Sequence, residues 1–376
     1  MTYFTADKPP LLNFISDALT AGGFTESNSN IVAEHLVDAE MKGVPSHGVN
    51  RLGLYIGEAK KGIIDPRAEP IIEQKSSNLI SVDGSGGIGI VAMKKAAEAG
   101  IKLALNSGIV AIAISNCGHT GRMGAYGEQA ADAGFFGLSM GGGGRKLWGN
   151  VVPFGGKEPV MSTNPYTLSM PGLKNDPLVC DFAISNWPAG KVAVARANND
   201  ALPPDIIIDK NGNPSTNPND FYAGGALLPA AGPKGSGMGI IAELVGDAML
   251  GKTLEYNWLF ILLRVDSFRS MAEYEKAASD FVYEVRNSKP VSDTGTVLLP
   301  GEKETKSAEE AEAIGIQISQ GVWDSIKTAA NDVGILADDY FYEPLFAPSL
   351  TFLRAKSKRI ESLRSAYHRI SCDKFC

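Results

Sequence analysis

The chain has 376 residues, of which 44% are apolar and 20% charged, and it carries a formal net charge of −7. That size and make-up fit an ordinary globular protein with a substantial core, expected as two domains or one domain with an inserted lobe. The acidic balance, with no basic block through the body, argues against nucleic acid or an anionic membrane as the main partner.

From residue 10 to about 61 the pattern is helical. Leu11, Leu12, Phe14, Ile15, Ala18 and Leu19 recur at helical spacing, as do Ile31, Val32, His35, Leu36 and Ala39. Thr25, Glu26, Ser27 and Asn28 supply capping residues between the two stripes. His35 falls on the apolar stripe, where a core or boundary histidine is the better reading than a functional one. The spacing then predicts a strand over 79–83, a helix over 90–105, a buried strand over 109–114, a helix over 124–133 and a strand over 135–140. This α/β alternation continues to about residue 194. Dense Pro and Gly imply loops over 201–239. A helix is predicted over 239–250, followed by an apolar run over 258–265, a connecting loop over 287–304 and helix again over 308–333. The tail from Lys356 is basic and reads as a solvated terminal helix.

The first residues lack the basic-then-apolar pattern of a signal peptide, and no apolar stretch is long enough to span a bilayer. Cys117, Cys180, Cys372 and Cys376 share no spacing that suggests a zinc cluster or a disulfide framework. A soluble, cytoplasmic protein without a bound metal is the expectation.

Gly84-Ser85-Gly86-Gly87-Ile88-Gly89 follows a predicted strand and opens a predicted helix, as a Rossmann dinucleotide fingerprint does. The acid that would hold the ribose is missing, since nothing between Ala99 and Gly127 is Asp or Glu. An NADP-type site can dispense with that acid, and glycine turns are common in a chain with 42 glycines, so the motif alone leaves both readings open.

Two of the four histidines sit in polar, glycine-flanked settings. In Ser46-His47-Gly48-Val49-Asn50-Arg51, His47 and Arg51 would share a face if helical. A His to move a proton and an Arg fork to grip a carboxylate make a minimal site for a 2-oxo or 2-hydroxy acid. A capped helix start with solvent-facing His and Arg is the competing reading. Gly118-His119-Thr120-Gly121 lies at the C-terminal end of the strand predicted over 109–114, the edge at which open α/β sheets bind ligands. A plain strand-to-helix turn would look the same. Three more segments stand out: Pro153-Phe154-Gly155-Gly156 with Ser162-Thr163-Asn164-Pro165, Asp181-Phe182-Ala183-Ile184-Ser185-Asn186, and Pro233-Lys234-Gly235-Ser236-Gly237. In the last, a lysine and free amides at a helix N-terminus are a ready anion site.

Taken in order, these segments, with Gly43-Val44-Pro45 and Leu299-Pro300-Gly301-Glu302, resemble the malate/L-lactate dehydrogenase-like oxidoreductases over roughly residues 11–348. The resemblance implies a homodimer that uses NAD or NADP without a Rossmann fold, which makes residues 84–89 a structural turn. It implies an α/β (α+β) architecture: an NAD(P)-binding domain over 76–307 with a mixed, largely antiparallel sheet, and a helical domain built from 1–75 and 308–376. By the same resemblance His47 and His119 are the acid/base residues, and Asp181 orients a catalytic or cofactor group. Ser46 and Arg51 would stand beside the substrate. Gly143, Ala183, Ile184, Ser185, Lys234, Gly235, Pro300, Gly301 and Glu302 would contact the dinucleotide. The chain departs from the family pattern at Thr120 and Arg122, and at Gly141-Gly142-Gly143-Gly144-Arg145, which leaves cofactor preference open.

The implied reaction is hydride transfer between nicotinamide C4 and the α-carbon of a small carboxylate substrate, with His47 donating the proton. A cyclic-imine (piperideine- or pyrroline-2-carboxylate) reductase needs the same parts. A catalytically inactive dinucleotide-binding protein is the reading from a different class, and the joint presence of His47, His119, Arg51, Asp181 and Lys234 argues against it.

Overall fold

The computed structural model describes residues 2–173, 176–292 and 295–341; the helix predicted beyond Lys356 and the two terminal cysteines lie outside the described residues. The chain opens with β1 (Tyr3–Ala6), α1 (Lys8–Ala21) and α2 (Glu26–Met41), then two 3-10 turns (Pro45–His47 and Val49–Arg51) and α3 (Leu52–Lys60). Next come β2 (Ile71–Ser76), β3 (Leu79–Asp83), α4 (Gly89–Ser107), β4 (Ile109–Ser115), α5 (Gly124–Asp132), β5 (Phe135–Gly142), α6 (Arg145–Trp148), β6 (Pro165–Leu173) and β7 (Asp176–Ala183). After α7 (Ala189–Asn198) follow β8 (Ile207–Ile208), β9 (Pro214–Ser215), α8 (Pro218–Tyr222), β10 (Ala226–Leu227) and α9 (Pro233–Glu243). The helix α9 runs on as a π-helical turn, Leu244–Met249. The described chain then continues through β11 (Asn257–Arg264), α10 (Met271–Arg286), α11 (Glu302–Ile314), β12 (Ile316–Ser319) and α12 (Gln320–Asn331).

Seven strands form the main sheet in the order β2-β3-β4-β11-β5-β6-β7. Only β3 and β4 pair in parallel; every other neighbouring pair is antiparallel. The sheet is therefore mixed and largely antiparallel, and it is not the doubly wound parallel sheet of a Rossmann domain. At its centre β4 turns Val110, Ile112 and Ile114 into the core, and Leu262, Phe260 and Trp258 of β11 lie opposite them. The long helix α4 covers this face closely because Gly100 offers no side chain: a Cβ there would lie 2.2 Å from Ile112 Cδ1.

The two ends of the described chain share a second core. Pro9 and Pro10 start α1 where no intrahelical donor is needed, and Thr25 Oγ1 caps α2 by accepting from the Asn28 N–H. Leu11, Phe14, Leu36 and Tyr55 then pack with Ile318, Trp323 and Ile326. Across that core β1 pairs antiparallel with β12, and Phe4 stacks on Trp323 with ring centroids 3.7 Å apart.

Three expectations are corrected. The helix predicted over 308–333 is two helices separated by β12, because Gly315 (φ 90°) breaks the helix and Ile316 and Ile318 alternate inward against β1. The helix predicted over 239–250 begins six residues earlier at Pro233, and its second half is the π-helical turn. The loop region 201–239 also contains a small three-stranded sheet, β10-β8-β9.

Candidate active site

The glycine-rich turn after β3 and the His119 segment after β4 are built as one unit. The amides of Gly84 and Gly86 donate to the carbonyls of Ser115 and Asn116, and Gly118 donates back to Gly87 O. A Cβ on Gly84 would lie 2.5 Å from Cys117 Cβ, and one on Gly89 would lie 2.1 Å from Gly118 O. These glycines let two backbones touch. They form a structural turn whose amides face protein, and they shape the loop that carries His119.

The half-buried His119 ring is held from two sides. Gly121 N–H donates to Nδ1 at 3.2 Å, and Tyr55 Oη lies 2.7 Å from the same nitrogen. Because a backbone amide can only donate, Nδ1 is an acceptor and the neutral ring carries its proton on Nε2. Tyr55 is fully buried on α3, four residues beyond Arg51 and on the same helical face.

His47 ends the first 3-10 turn and stacks on His119, with ring centroids 5.4 Å apart and planes 22° from parallel. Its Nδ1 lies 3.0 Å from Ser46 Oγ. Burial, then the charges of Arg51 and Arg122, push His47 down to about 4. Burial, then the neighbouring His47 and Arg51, hold His119 well below its ordinary value. Both rings are neutral at pH 7. Arg51 Nε donates to Ser46 O at 2.7 Å, so the Arg folds back over the turn. Its Nη1 and Nη2 have no hydrogen-bond or ion-pair partner among the described residues.

Glu40 of α2 supports this turn from below. Its carboxylate accepts the Val49 N–H at 3.1 Å, and a Cβ on Gly48 would lie 2.0 Å from Oε2. Burial raises the Glu40 carboxyl to about 7.

Asp181 lies apart from this cluster. It accepts from the Gly124 amide at 2.7 Å and from Thr167 Oγ1 at 3.1 Å, and burial raises its carboxyl. It therefore ties β7 to the first turn of α5, five residues after His119, and bonds neither histidine.

The expected dinucleotide residues fall into three places. Ala183, Ile184 and Ser185 meet the start of α9, where Ala230 N donates to Ile184 O at 2.7 Å and a Cβ on Gly235 would lie 2.3 Å from Ala230 O. Lys234 is exposed there. The free amides expected beside it are not free: Lys234, Gly235 and Ser236 donate to Ala231 O, Ala230 O and Gly232 O, and Pro233 has no N–H. Gly143 is likewise engaged, donating to Glu243 Oε2 and accepting from Thr253 Oγ1. Pro300, Gly301 and Glu302 lie along the outer edge of β7, where Pro300 O accepts the Val179 N–H and Glu302 accepts from Leu299 N. No described hydrogen bond joins that edge to Lys234 or Ser185.

Three residues escaped sequence reasoning. Tyr55 reads as a core aromatic, although its spacing from Arg51 was a usable signal. Glu243 is buried and gathers the Gly143 N–H, the Ser162 N–H and hydroxyl, and the Asn164 side-chain amide. Arg122, which stood out only as a departure from the family pattern, is buried and bridges Asp38 and Glu128, with N···O distances of 2.8–3.0 Å. Its backbone N–H also donates to His35 Nε2, which makes His35 the neutral core histidine expected. Replacing Arg122 with Ala leaves the partly exposed Asp38 without its partner and Glu128 with Lys42 alone, and should cost about 2 kcal/mol. Lys at this position should recover less than half of that, because an ammonium lacks the fork that spans both partners. A urea titration that leaves the midpoint of Arg122→Ala at the wild-type value would contradict this.

The family model described as malate/L-lactate dehydrogenase matches residues 7–327. A malate dehydrogenase of Pyrococcus abyssi is 31% identical over 89% of this chain and 96% of its own length. An L-sulfolactate dehydrogenase of Methanocaldococcus jannaschii is 30% identical over 87% of this chain and 96% of its own. The solved structure of sulfolactate dehydrogenase from the same organism superposes with a TM-score of 0.81 at 29% identity, covering 90% of this chain and 99% of that one. The family match over residues 7–327 and similarity along almost the whole length place this chain in the malate/L-lactate dehydrogenase family of oxidoreductases.

Proposed function

We propose that the protein is a cytoplasmic homodimer that interconverts a small 2-hydroxy acid and its 2-oxo acid, using NAD or NADP. One observation carries the reading: two neutral, stacked imidazoles stand beside an arginine whose terminal nitrogens have no partner among the described residues. A neutral imidazole is the right form to accept a proton from a substrate hydroxyl. The unpaired fork of Arg51 suits a substrate carboxylate.

In oxidation His47 takes the hydroxyl proton, and in reduction it returns one to the oxygen. His119, fixed by Tyr55 and Gly121, lines the site beside it and presents Nε2–H. Ser46 orients His47, and Asp181 acts at one remove by pinning the helix that follows the His119 loop. The nicotinamide dinucleotide, when bound, accepts or supplies the hydride. Lys234, with its exposed ammonium, fits a cofactor phosphate, and Ser185 and the backbone of 183–185 lie next to it; Gly143 and residues 300–302 would act through the shape they give their neighbours.

We take residues 76–307 as the dinucleotide-binding unit and 1–75 with 308–376 as the helical unit, in keeping with the core that joins Leu11 and Phe14 to Trp323. The exposed apolar stripe of Ile240, Ile241, Leu244 and Met249 along α9 and its π turn suits a subunit interface. The free thiols of Cys117 and Cys180 suit a reducing compartment.

The test is a panel: pyruvate, oxaloacetate and piperideine-2-carboxylate with NADH and NADPH, and lactate and malate with the oxidised forms. Turnover of a 2-oxo acid is expected. Reduction of piperideine-2-carboxylate alone would favour the imine reading, and no turnover with no thermal shift by either dinucleotide would leave a binding protein. The pH profile is more specific. With His47 at about 4, kcat/KM for hydroxy-acid oxidation should stay level from pH 6.5 down to roughly pH 5 and fall only below that, as the base becomes protonated. A half-maximal point near 6.5 would remove His47 as the base.

A further inference from the structure

Glu255 stands at the seam between the two cores. Leu254 on one side packs against the core shared by the chain ends, and Tyr256 on the other packs against the core under the sheet. Two residues on, Asn257 begins β11 opposite Gly142 of β5, while Trp258 lies opposite Ile114 of β4. Extending the second register puts Glu255 level with Cys117, two residues before His119. Its carbonyl oxygen would lie 3.0 Å from a Cβ on Gly144. Glu255 thus sits between the loop that carries His119 and the glycine turn that ends β5.

The charged groups around its carboxyl are those of the proposed substrate site. Arg51 and Glu58 act on it, and it acts in turn on Tyr55 and Cys117. Arg51, Tyr55 and Glu58 follow at i, i+4 and i+7, so they share one face at the start of α3. Glu255 is half-buried, and the described residues give it neither a hydrogen bond nor an ion pair. A carboxylate withdrawn from water without a partner destabilises the free protein, and such groups concentrate where ligands bind. Burial and the nearby Glu58 raise it to about 7.

We infer that Glu255, with Glu58 behind it, sets substrate preference by facing the far end of an acid whose own carboxylate is held by Arg51. The site then takes 2-oxo and 2-hydroxy acids ending in a cationic or hydrogen-bond-donating group, and disfavours those with a second acid group. This rests on the reading of the site as a 2-oxo/2-hydroxy acid centre. The discrimination is by repulsion as much as by attraction, since a dianion would bring like charges together in a half-buried space.

The experiment, run at about pH 8.5 where the Glu255 carboxyl is ionised, compares kcat/KM for oxaloacetate, which carries a second carboxylate, with that for 2-oxo-5-guanidinopentanoate, which carries a cation, in wild type and Glu255→Gln. The wild type should prefer the guanidino acid. Glu255→Gln should shift the ratio toward oxaloacetate by about a hundredfold, roughly tenfold from each substrate. Glu58→Gln should shift it in the same direction by less, and it serves as the second variant if Glu255→Gln folds poorly. Wild-type turnover of pyruvate, whose methyl group carries no charge, tests the underlying reading separately. If pyruvate is reduced and neither variant moves the ratio, the inference about Glu255 is overturned and the reading of the site stands. If wild type turns over none of the three with either dinucleotide, the reading of the site fails and this inference with it.

Discussion

Replacing His47 with Asn should lower kcat/KM for hydroxy-acid oxidation by about a thousandfold, which corresponds to about 4 kcal/mol of transition-state stabilisation. The expected loss is large because the stacked imidazole beside it cannot take over. His119 is tied through Nδ1 to Tyr55 and Gly121, so its remaining nitrogen carries a proton and cannot accept another. Asn fits the space of the imidazole and can still meet Ser46 Oγ, so unfolding should be little changed while turnover falls. The carboxylate grip of Arg51 stays in place, so the loss should appear mainly in kcat. Turnover within about threefold of wild type would remove His47 from the proton-transfer role.

The largest effect on stability is expected at Gly142. A Cβ there would lie 1.8 Å from Ala242 O, and one on Gly246 would lie 2.0 Å from Gly142 C. Both obstacles are backbone, so no side chain can rotate away, and the end of β5 and the α9–π junction would have to separate. That junction also brings Glu243 to the Gly143 and Ser162 amides, and those bonds would be disturbed with it. Overpacking in a core costs typically 1–3 kcal/mol, and a backbone clash of this kind should exceed that, at about 4 kcal/mol or more. Gly237→Ala is the matched control: it lies in α9 with nothing within 4 Å of its Cβ, and Ala there should be neutral or stabilise by up to about 1 kcal/mol. Equal urea midpoints for Gly142→Ala and wild type would contradict this account of the four consecutive glycines.

Those glycines show where local reading stops. The strand predicted over 109–114 and the helix over 90–105 were legible because burial imposes a period of two or of 3.6 on side chains a few residues apart. His47, His119 and Arg51 were legible as chemistry for a similar reason, since few other residues combine proton transfer with anion binding. Residues 141–144 carry no side chains, and their meaning lies wholly in what approaches them: Trp258, Ala242, Thr253 and Tyr256, each at least about 100 positions away in the sequence. Tyr55 was hidden by company, a phenol among Leu52 and Ile56 whose one polar atom meets His119, 64 positions on. Glu243 was legible only as one of two acids, with Asp247, in the mostly apolar stretch 239–250. The helix predicted over 308–333 failed because four residues of helical-looking composition found a strand partner at the opposite end of the chain. At Lys234 the local pattern misled in the other direction: a helix start next to a lysine looked open, while the preceding turn had already taken its amides.

Tyr3 lies across from Ser319 and Ala6 across from Ile316, so the first strand waits for a partner made about 310 positions later. At translation speeds of 5–20 residues per second, the segment that carries His47 and Arg51 waits on the order of fifteen seconds or more before β12 and Trp323 emerge. During that interval the Leu11 and Phe14 face has no lid, and it is a surface for chaperones to hold. The helices that frame His47 and Tyr55 gain their full support only once Trp323 and Ile326 have been made. A chain that stops before Ile316 lacks the closing strand, and its Leu11 and Phe14 face stays uncovered.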